Sequence, residues 1–274
     1  MQTNTKIRLN KSNLFWITLA HLLSVVALFY FSWENLAVAL IGLFLVAPIG
    51  INIGYHRLLS HRAFKSPSWL EHAMVTVGAM TGGGPPLQWA ASHRRHHRYS
   101  DREMDPHDST KGFWYSHILH LFQETEIDEG DQWKSFVPDL LTDSYLVFLN
   151  KYWLWTSIAT IGLLYVAGGL PYVLWGGFVR LVMSWHVMWF VNSATHKWGY
   201  RNYNTSDRSS NCWWVALLAA GEGWHNNHHA QPACARHGHK WWELDFSYAI
   251  IRSLEFLGLA HDVRRPRPNA VEES

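Results

Sequence analysis

The chain has 274 residues, of which 48% are hydrophobic, 15% aromatic and only 16% charged, against roughly 25% charged in a typical soluble domain. A formal net charge of +2 is far too small to argue for nucleic acid as a partner. The two cysteines, Cys212 and Cys234, are distant and sit in no C-x-x-C pattern, which excludes a disulfide framework and a sulfur-rich metal site.

In chain order, residues 14–31 (LFWITLAHLLSVVALFYF) and 36–54 (LAVALIGLFLVAPIGINIG) carry no formal charge. Both approach the roughly 20 residues an α-helix needs to cross hydrocarbon. Lys6, Arg8 and Lys11 precede the first run, as in a secretory signal. The run is too long for one, FSWEN offers no small-residue cleavage site, and a second span follows at once. Segment 67–80 (PSWLEHAMVTVGAM) starts with proline and is too short to span comfortably, which suits the membrane interface. GGGPP at 82–86 must break any helix, and LQWAASHRRHH resumes one. Runs at about 145–167 and 170–191 complete four spans; the clean apolar core of the third is 152–167. Residues 263–274 (VRRPRPNAVEES) read as a disordered tail.

The turn at 32–35 carries only Glu34, and the one near Gly168 and Gly169 has no charge, while the N-terminal tail is basic. The positive-inside rule then leaves both termini and segment 55–144 in the cytoplasm. The expected protein is an all-α integral membrane protein with a single domain over 1–262. Its four transmembrane helices carry a cytoplasmic helical cap, 55–144 and 192–262, that holds a histidine-rich dimetal site.

Three histidine clusters, HRLLSH at 56–61, HRRHH at 93–97 and HNNHH at 225–229, fall on that cytoplasmic side. Residues four apart share a helix face, so His93 aligns with His97 and His225 with His229, with His96 and His228 one step around. His56 and His61 are five apart and converge only if the second membrane helix ends or bends between them. These eight imidazoles are too many for one metal and suit two. Imidazole favours Zn, Fe, Cu or Ni over Mg or Ca, and iron makes a dinuclear centre useful against an unactivated substrate. Isolated histidines, including His21, His72, His117, His120, His237, His239 and His261, read as ordinary packing or surface residues. Gly50, Gly54, Gly78 and Gly82–Gly84 read as helix crossings and bends. Arg180, inside the fourth span, reads as a paired or niche-bound structural charge.

The clusters, with GYHRLLSHRAFKSP at 54–67, DPHD at 105–108, GFWYSH at 112–117, FVNSATHKWG at 190–199 and GEGWHNNHH at 221–229, resemble the three histidine boxes of the membrane fatty acid desaturases. The similarity runs from roughly 36 to 262, in the stearoyl-type Δ9 branch and particularly its bacterial and cyanobacterial acyl-lipid members. The resemblance implies a ninth ligand, His196, and a water-mediated contact to one iron from Asn192. It also implies a diiron site, a bent hydrophobic acyl tunnel, and O₂-dependent removal of two hydrogens to leave a cis double bond. Trp89, Trp189 and Trp198 flank ligands and are candidate tunnel or lid residues.

The chain departs from acyl-CoA members at Ser92, where they carry an acidic residue. It departs again at Glu124, Glu126, Asp128 and Glu129, where they carry basic residues for CoA phosphates. An acidic cluster repels polyanionic phosphate, so the expected substrate is a lipid-linked acyl chain, with acyl-CoA the alternative. No heme or flavin segment accompanies the core. Electrons must come from a separate donor of ferredoxin or cytochrome b5 type, with the basic stretch 94–102 as one docking surface. A membrane diiron hydroxylase and a histidine-rich metal transporter are the competing functions.

Overall fold

The computed structural model describes residues 8–124 and 130–267, so Glu126, Asp128 and Glu129 lie outside the described residues. Helix α1 runs Lys11–Ala27 and tightens through Leu28–Tyr30. It starts where the Asn10 side chain accepts from the Asn13 backbone N–H at 2.8 Å, an N-cap that satisfies one of the free amides of the first turn. Helix α2, Trp33–Val46, is capped in the same way by Ser32 and continues through Ala47–Ser60 as a wider π-type helix. Pro48 lies at the start of the wide stretch. A proline there removes an amide donor and clashes with the preceding turn, which favours the change of pitch.

Helices α3 (Ser68–Ala79), α4 (Pro86–Tyr99), α5 (Phe113–His117) and α6 (Ser144–Tyr152) follow. Next come α7 (Leu154–Tyr172), α8 (Arg180–Ser193), α9 (Trp213–Leu218), α10 (His225–Ala230) and α11 (Phe246–Phe256). The all-α expectation needs one correction. Strand β1 (Arg8–Leu9) pairs antiparallel with β2 (Gln123–Glu124), Arg8 opposite Glu124. This short pair, with Asn10 N–H donating to Phe122 O at 2.9 Å, ties the start of α1 to the chain beyond α5.

Among the described residues, three helices are long and apolar enough to cross a membrane: Lys11–Tyr30, Trp33–Ser60 and Leu154–His196, with mean hydropathies of 1.7, 2.4 and 1.6. The last covers 43 residues, or about 65 Å if straight, twice the roughly 30 Å of bilayer hydrocarbon. It is not straight. Gly169 has φ +67° and ψ −155°, open essentially only to glycine. Beyond it a Cβ on Gly176 would lie 2.9 Å from Leu164 Cδ2. Twelve residues of straight helix would hold those two positions about 18 Å apart, so the halves fold back on each other.

Segment 67–80 packs closely against α2. A Cβ on Gly50 would sit 2.4 Å from Gly78 N, and one on Gly54 2.9 Å from Met74 O, so the glycines let the two backbones touch. Buried Ile51, Tyr55, Val75, Leu87, Leu140 and Leu146 join α2, α3, α4 and α6 in one core, each large side chain contributing about 1.5–3 kcal/mol. The Asn150 side chain accepts from Leu87 N–H at 2.9 Å and caps α4, which needs a partner because it begins at prolines. Buried Arg180 donates to Gly176 O at 2.8 Å and Met80 O at 3.1 Å, a niche of backbone carbonyls. At the C-terminus, Arg264 N–H donates to Ala63 O at 3.0 Å, so the chain is tied down beyond the expected boundary at 262.

Candidate metal centre

The clusters meet where α2, α4, α10 and the end of α8 converge. His61 N–H donates to His56 O at 3.1 Å, an i→i+5 turn that stacks residues five apart, and the rings lie 4.9 Å apart. The expected end or bend of α2 between them is thus replaced by a change of helical pitch. His93 and His97 lie on one face of α4, and His225 and His229 on one face of α10.

All nine expected imidazoles come together, in two groups. His56, His61, His93, His97 and His228 form one, and His96, His196, His225 and His229 the other, with the ligand nitrogens of each within 4.8 Å of one another. Each H-x-x-H-H box serves both. Its i, i+4 pair enters one cluster, and the residue one step around enters the other. In the first cluster the Nε2 atoms form a chain: His61 to His93 at 2.7 Å, His93 to His97 at 3.0 Å, His97 to His228 at 2.8 Å and His228 to His56 at 3.0 Å. In the second, His96 and His229 Nε2 are 3.3 Å apart.

The outward nitrogens explain the inward ones. Nδ1 of His56 meets Glu222 at 2.7 Å, His96 meets Asp105 at 2.9 Å, His196 meets Asp101 at 3.1 Å and His229 meets Asp207 at 2.7 Å. A carboxylate only accepts, so each Nδ1 carries the proton and each Nε2 turns a bare lone pair inward. Burial, and then the neighbouring imidazoles, hold His61, His93, His97, His225 and His228 well below the usual histidine pKa. These five are neutral, the form that binds metal. Burial would raise the carboxylates, but the hydrogen bond from His196 holds Asp101 low and the field of His96 and His107 holds Asp105 low. The hydrogen bond from His229 does so for Asp207, and Arg57, His237 and His56 do so for Glu222.

This arrangement fits two cations. Buried Nε2 of His196 and of His225 has no hydrogen-bond partner among the described residues, and the first cluster crowds five Nε2 atoms, each within 3.0 Å of a neighbour. A cation in each group resolves both. Asn192 is half-buried on α8, four residues before His196.

Residues 31–263 match the fatty acid desaturase family. The chain belongs to it. Among curated desaturases, the chain is 44% identical to the sn-1 stearoyl-lipid 9-desaturase of Anabaena variabilis, over 96% of both chains. It is 43% identical to the sn-2 palmitoyl-lipid 9-desaturase of Nostoc sp. (strain 36), over 96% of this chain and 94% of that one. An acyl-CoA C20 Delta5-desaturase of Anemone leveillei is 41% identical over 90% of this chain and 79% of its own.

Sequence reasoning on this desaturase passed over the four carboxylates. Asp105 lies within DPHD and Glu222 within GEGWHNNHH, so a signal was present; Asp101 and Asp207 sit in polar loops with none. His237 and His117, read as ordinary packing or surface residues, are buried. His117 and His186 join through ring nitrogens at 3.0 Å, and His186 and His21 at 3.1 Å, a row apart from both clusters. Burial and His186 push His117 down to about 4. Trp89 stacks on His93 with ring centres 5.2 Å apart, whereas Trp198 is exposed and packs on Phe113.

Proposed function

We propose that this desaturase introduces a cis Δ9 double bond into a saturated acyl chain carried on a membrane glycerolipid, using O₂, two electrons and two iron ions. The observation that carries the reading is the pair of imidazole clusters, five and four histidines, in a chain 44% identical to a stearoyl-lipid 9-desaturase over almost its whole length. His56, His61, His93, His97 and His228 hold one iron; His96, His196, His225 and His229 hold the other, with Asn192 reaching it through water. Bound iron would activate O₂ with the two supplied electrons, and O₂ would supply the oxidising power toward an unactivated C–H bond. The chain supplies position: carboxylates fix the ring tautomers, buried walls exclude water, and only shape and depth select which methylenes approach.

Two clusters sharing the boxes of α4 and α10 favour a fixed centre over a metal-transport path, whose ligands would be strung across the membrane. The folded-back halves of Leu154–His196 support four spans, with both termini and the clusters cytoplasmic. Cysteines placed at Glu34 and Gly169 should label from outside and cysteines in the 101–108 loop only from inside; outside labelling of that loop rejects this topology. The separate electron donor, of ferredoxin or cytochrome b5 type, has less of the 94–102 stretch to use than its charge suggests. Arg94 is spent on Ser60 O, Leu59 O and Asp139 and Arg95 is buried, which leaves Arg98 and Arg102 at the surface.

The test is expression in a host lacking desaturase, with double-bond mapping of intact lipids and acyl-CoA pools. A Δ9 cis product in glycerolipid is expected. A hydroxylated chain, or metal flux with no O₂-dependent change in lipid, replaces the reading.

A further inference from the structure

Residues 212–221 (CWWVALLAAG) carry no charge and form α9 with the turn after it. One face of α9 lies inside the protein, where Cys212, Val215 and Ala219 are buried against Val191 and Ala194 at the end of α8. The opposite face is bare. Trp213 and Leu217, four apart and so on one side of the helix, are 66% and 57% exposed, and Leu218 is 50% exposed. The neighbouring chain repeats the pattern. Trp224 Nε1–H donates to Leu244 O at 2.8 Å and Ser247 N–H to Ala220 O at 3.0 Å, which sets 244–247 beside the turn after α9. There Leu244 and Phe246 are exposed, while Glu243 is buried and the Asp245 side chain, paired with Arg57, is 2% exposed. Glu222 is buried as well. Acids inside and large apolar side chains outside invert the arrangement of a water-facing surface.

Depth identifies what covers this face. The span Trp33–Ser60 has 28 residues, and the roughly 20 that hydrocarbon requires, counted from Trp33, end at Asn52. Asn52 is buried, and its side-chain amide donates to Ala219 O at 2.9 Å and Ser247 Oγ at 3.1 Å. Ser247 Oγ donates onward to Ala220 O at 2.9 Å. An amide in an apolar helix needs such partners, and Ala219 O is one of the carbonyls that a helix end leaves free. The node holds the end of α9 at the level where α2 leaves hydrocarbon. Its inner face packs on α8, which belongs to the span Leu154–His196, so the bare face continues the lipid-facing surface of the spans.

We propose that α9 and residues 244–246 lie in the bilayer interface on the side of the histidine clusters, a membrane contact separate from the spans. Leu217, Leu218, Leu244 and Phe246 reach the acyl chains, and Trp213 sits at headgroup level. The contact has a use. Cys212 N–H donates to Gly223 O at 2.8 Å, and α10 begins just beyond, at His225. The immersed helix thereby fixes the height of His225, His228 and His229 over the bilayer, and an acyl chain entering from the membrane meets them at a set depth.

The inference rests on the reading of Trp33–Ser60 and Leu154–His196 as membrane spans, and the experiment tests that reading separately. Leu217→Cys and Leu244→Cys are made beside two controls, Leu163→Cys on the exposed face of α7 and Glu103→Cys in an exposed loop. Each is labelled with nitrobenzoxadiazole, and the full-length protein is reconstituted into phosphatidylcholine bilayers. Leu217 and Leu244 are exposed, so a label there needs no repacking. Unsubstituted protein, whose Cys212 and Cys234 are buried, gives the labelling background. Quenching is measured with phosphatidylcholine brominated near the top of the acyl chain and with aqueous iodide. Bromolipid should quench the Leu163 label and iodide the Glu103 label; a Leu163 label open to iodide overturns the span reading itself. Labels at Leu217 and Leu244 should follow Leu163, with emission shifted to the blue. Iodide quenching equal to that at Glu103, or protection from both quenchers by a protein partner or a second copy, overturns the proposal.

Discussion

Asp207 accepts a 2.7 Å hydrogen bond from Nδ1 of His229, and is itself held by the side chains of Thr205 at 2.8 Å and Ser209 at 2.5 Å. The carboxylate is therefore fixed before any metal arrives and fixes the imidazole in turn. Asp207→Asn keeps the shape, but its amide oxygen is a weaker acceptor and its NH₂ can face the ring with a donor. Metal affinity of the four-histidine site should fall by roughly 10–100-fold with the five-histidine site unaffected. Chelator titration of the purified variant reads this, and a parallel loss at both sites would contradict the partition into two clusters.

Buried neutral histidines also set the pH response of the metal-free fold. Burial lowers His229 from 6.5 to about 4, with Asp207 opposing and His96 reinforcing the shift; His61, His93 and His225 move the same way. Between about 4 and 6.5 the unfolded chain binds more protons than the folded one, so stability rises with pH across that window. Metal-free protein should melt at progressively lower temperature as pH is taken from 7 to 5. A melting temperature that is flat or rises over that range would show that the imidazoles are not buried neutral.

The contact of α2 with α3 makes a sharper structural prediction. A methyl group at Gly50 would lie 2.4 Å from the Gly78 backbone nitrogen, where no side chain can swing aside. Gly50→Ala should cost about 1–3 kcal/mol by forcing the helices apart and should disturb the wide stretch that carries His56 and His61. Gly162→Ala, where nothing lies within 4 Å, should be neutral or slightly stabilising. Thermal melting and metal content of the two variants give the comparison, and equal behaviour would reject close backbone contact.

The boxes were legible because metal chemistry needs imidazoles at helical spacing, and spacing survives in the one-dimensional pattern. His93 with His97, and His225 with His229, could be paired on paper. The assignment of His96 and His228 to opposite clusters could not, since it depends on how α4 and α10 face each other. His56 with His61 was misjudged for a local reason: an i→i+5 turn changes the angle between residues five apart. Asp101 and Asp207 were invisible because a loop carboxylate reaches its histidine through tertiary structure alone.

The acyl carrier is the remaining test. Glu124 stands half-buried in β2 opposite Arg8, and Ser92 is half-buried on α4 next to His93. Neither supplies the positive charge that would draw CoA phosphates, so the charged headgroup should gain acyl-CoA little and a lipid-borne chain should compete well. Purified enzyme with an electron donor should be offered labelled stearoyl-glycerolipid and labelled stearoyl-CoA in separate reactions, and then both together. Faster conversion of the glycerolipid is expected, with the new double bond at Δ9. Replacing Glu124 by lysine should shift the ratio toward the CoA ester, chiefly through a lower KM, because attraction acts on encounter rather than on C–H cleavage. Rapid conversion of stearoyl-CoA with intact lipid untouched would reject the carrier assignment and leave the desaturase chemistry standing.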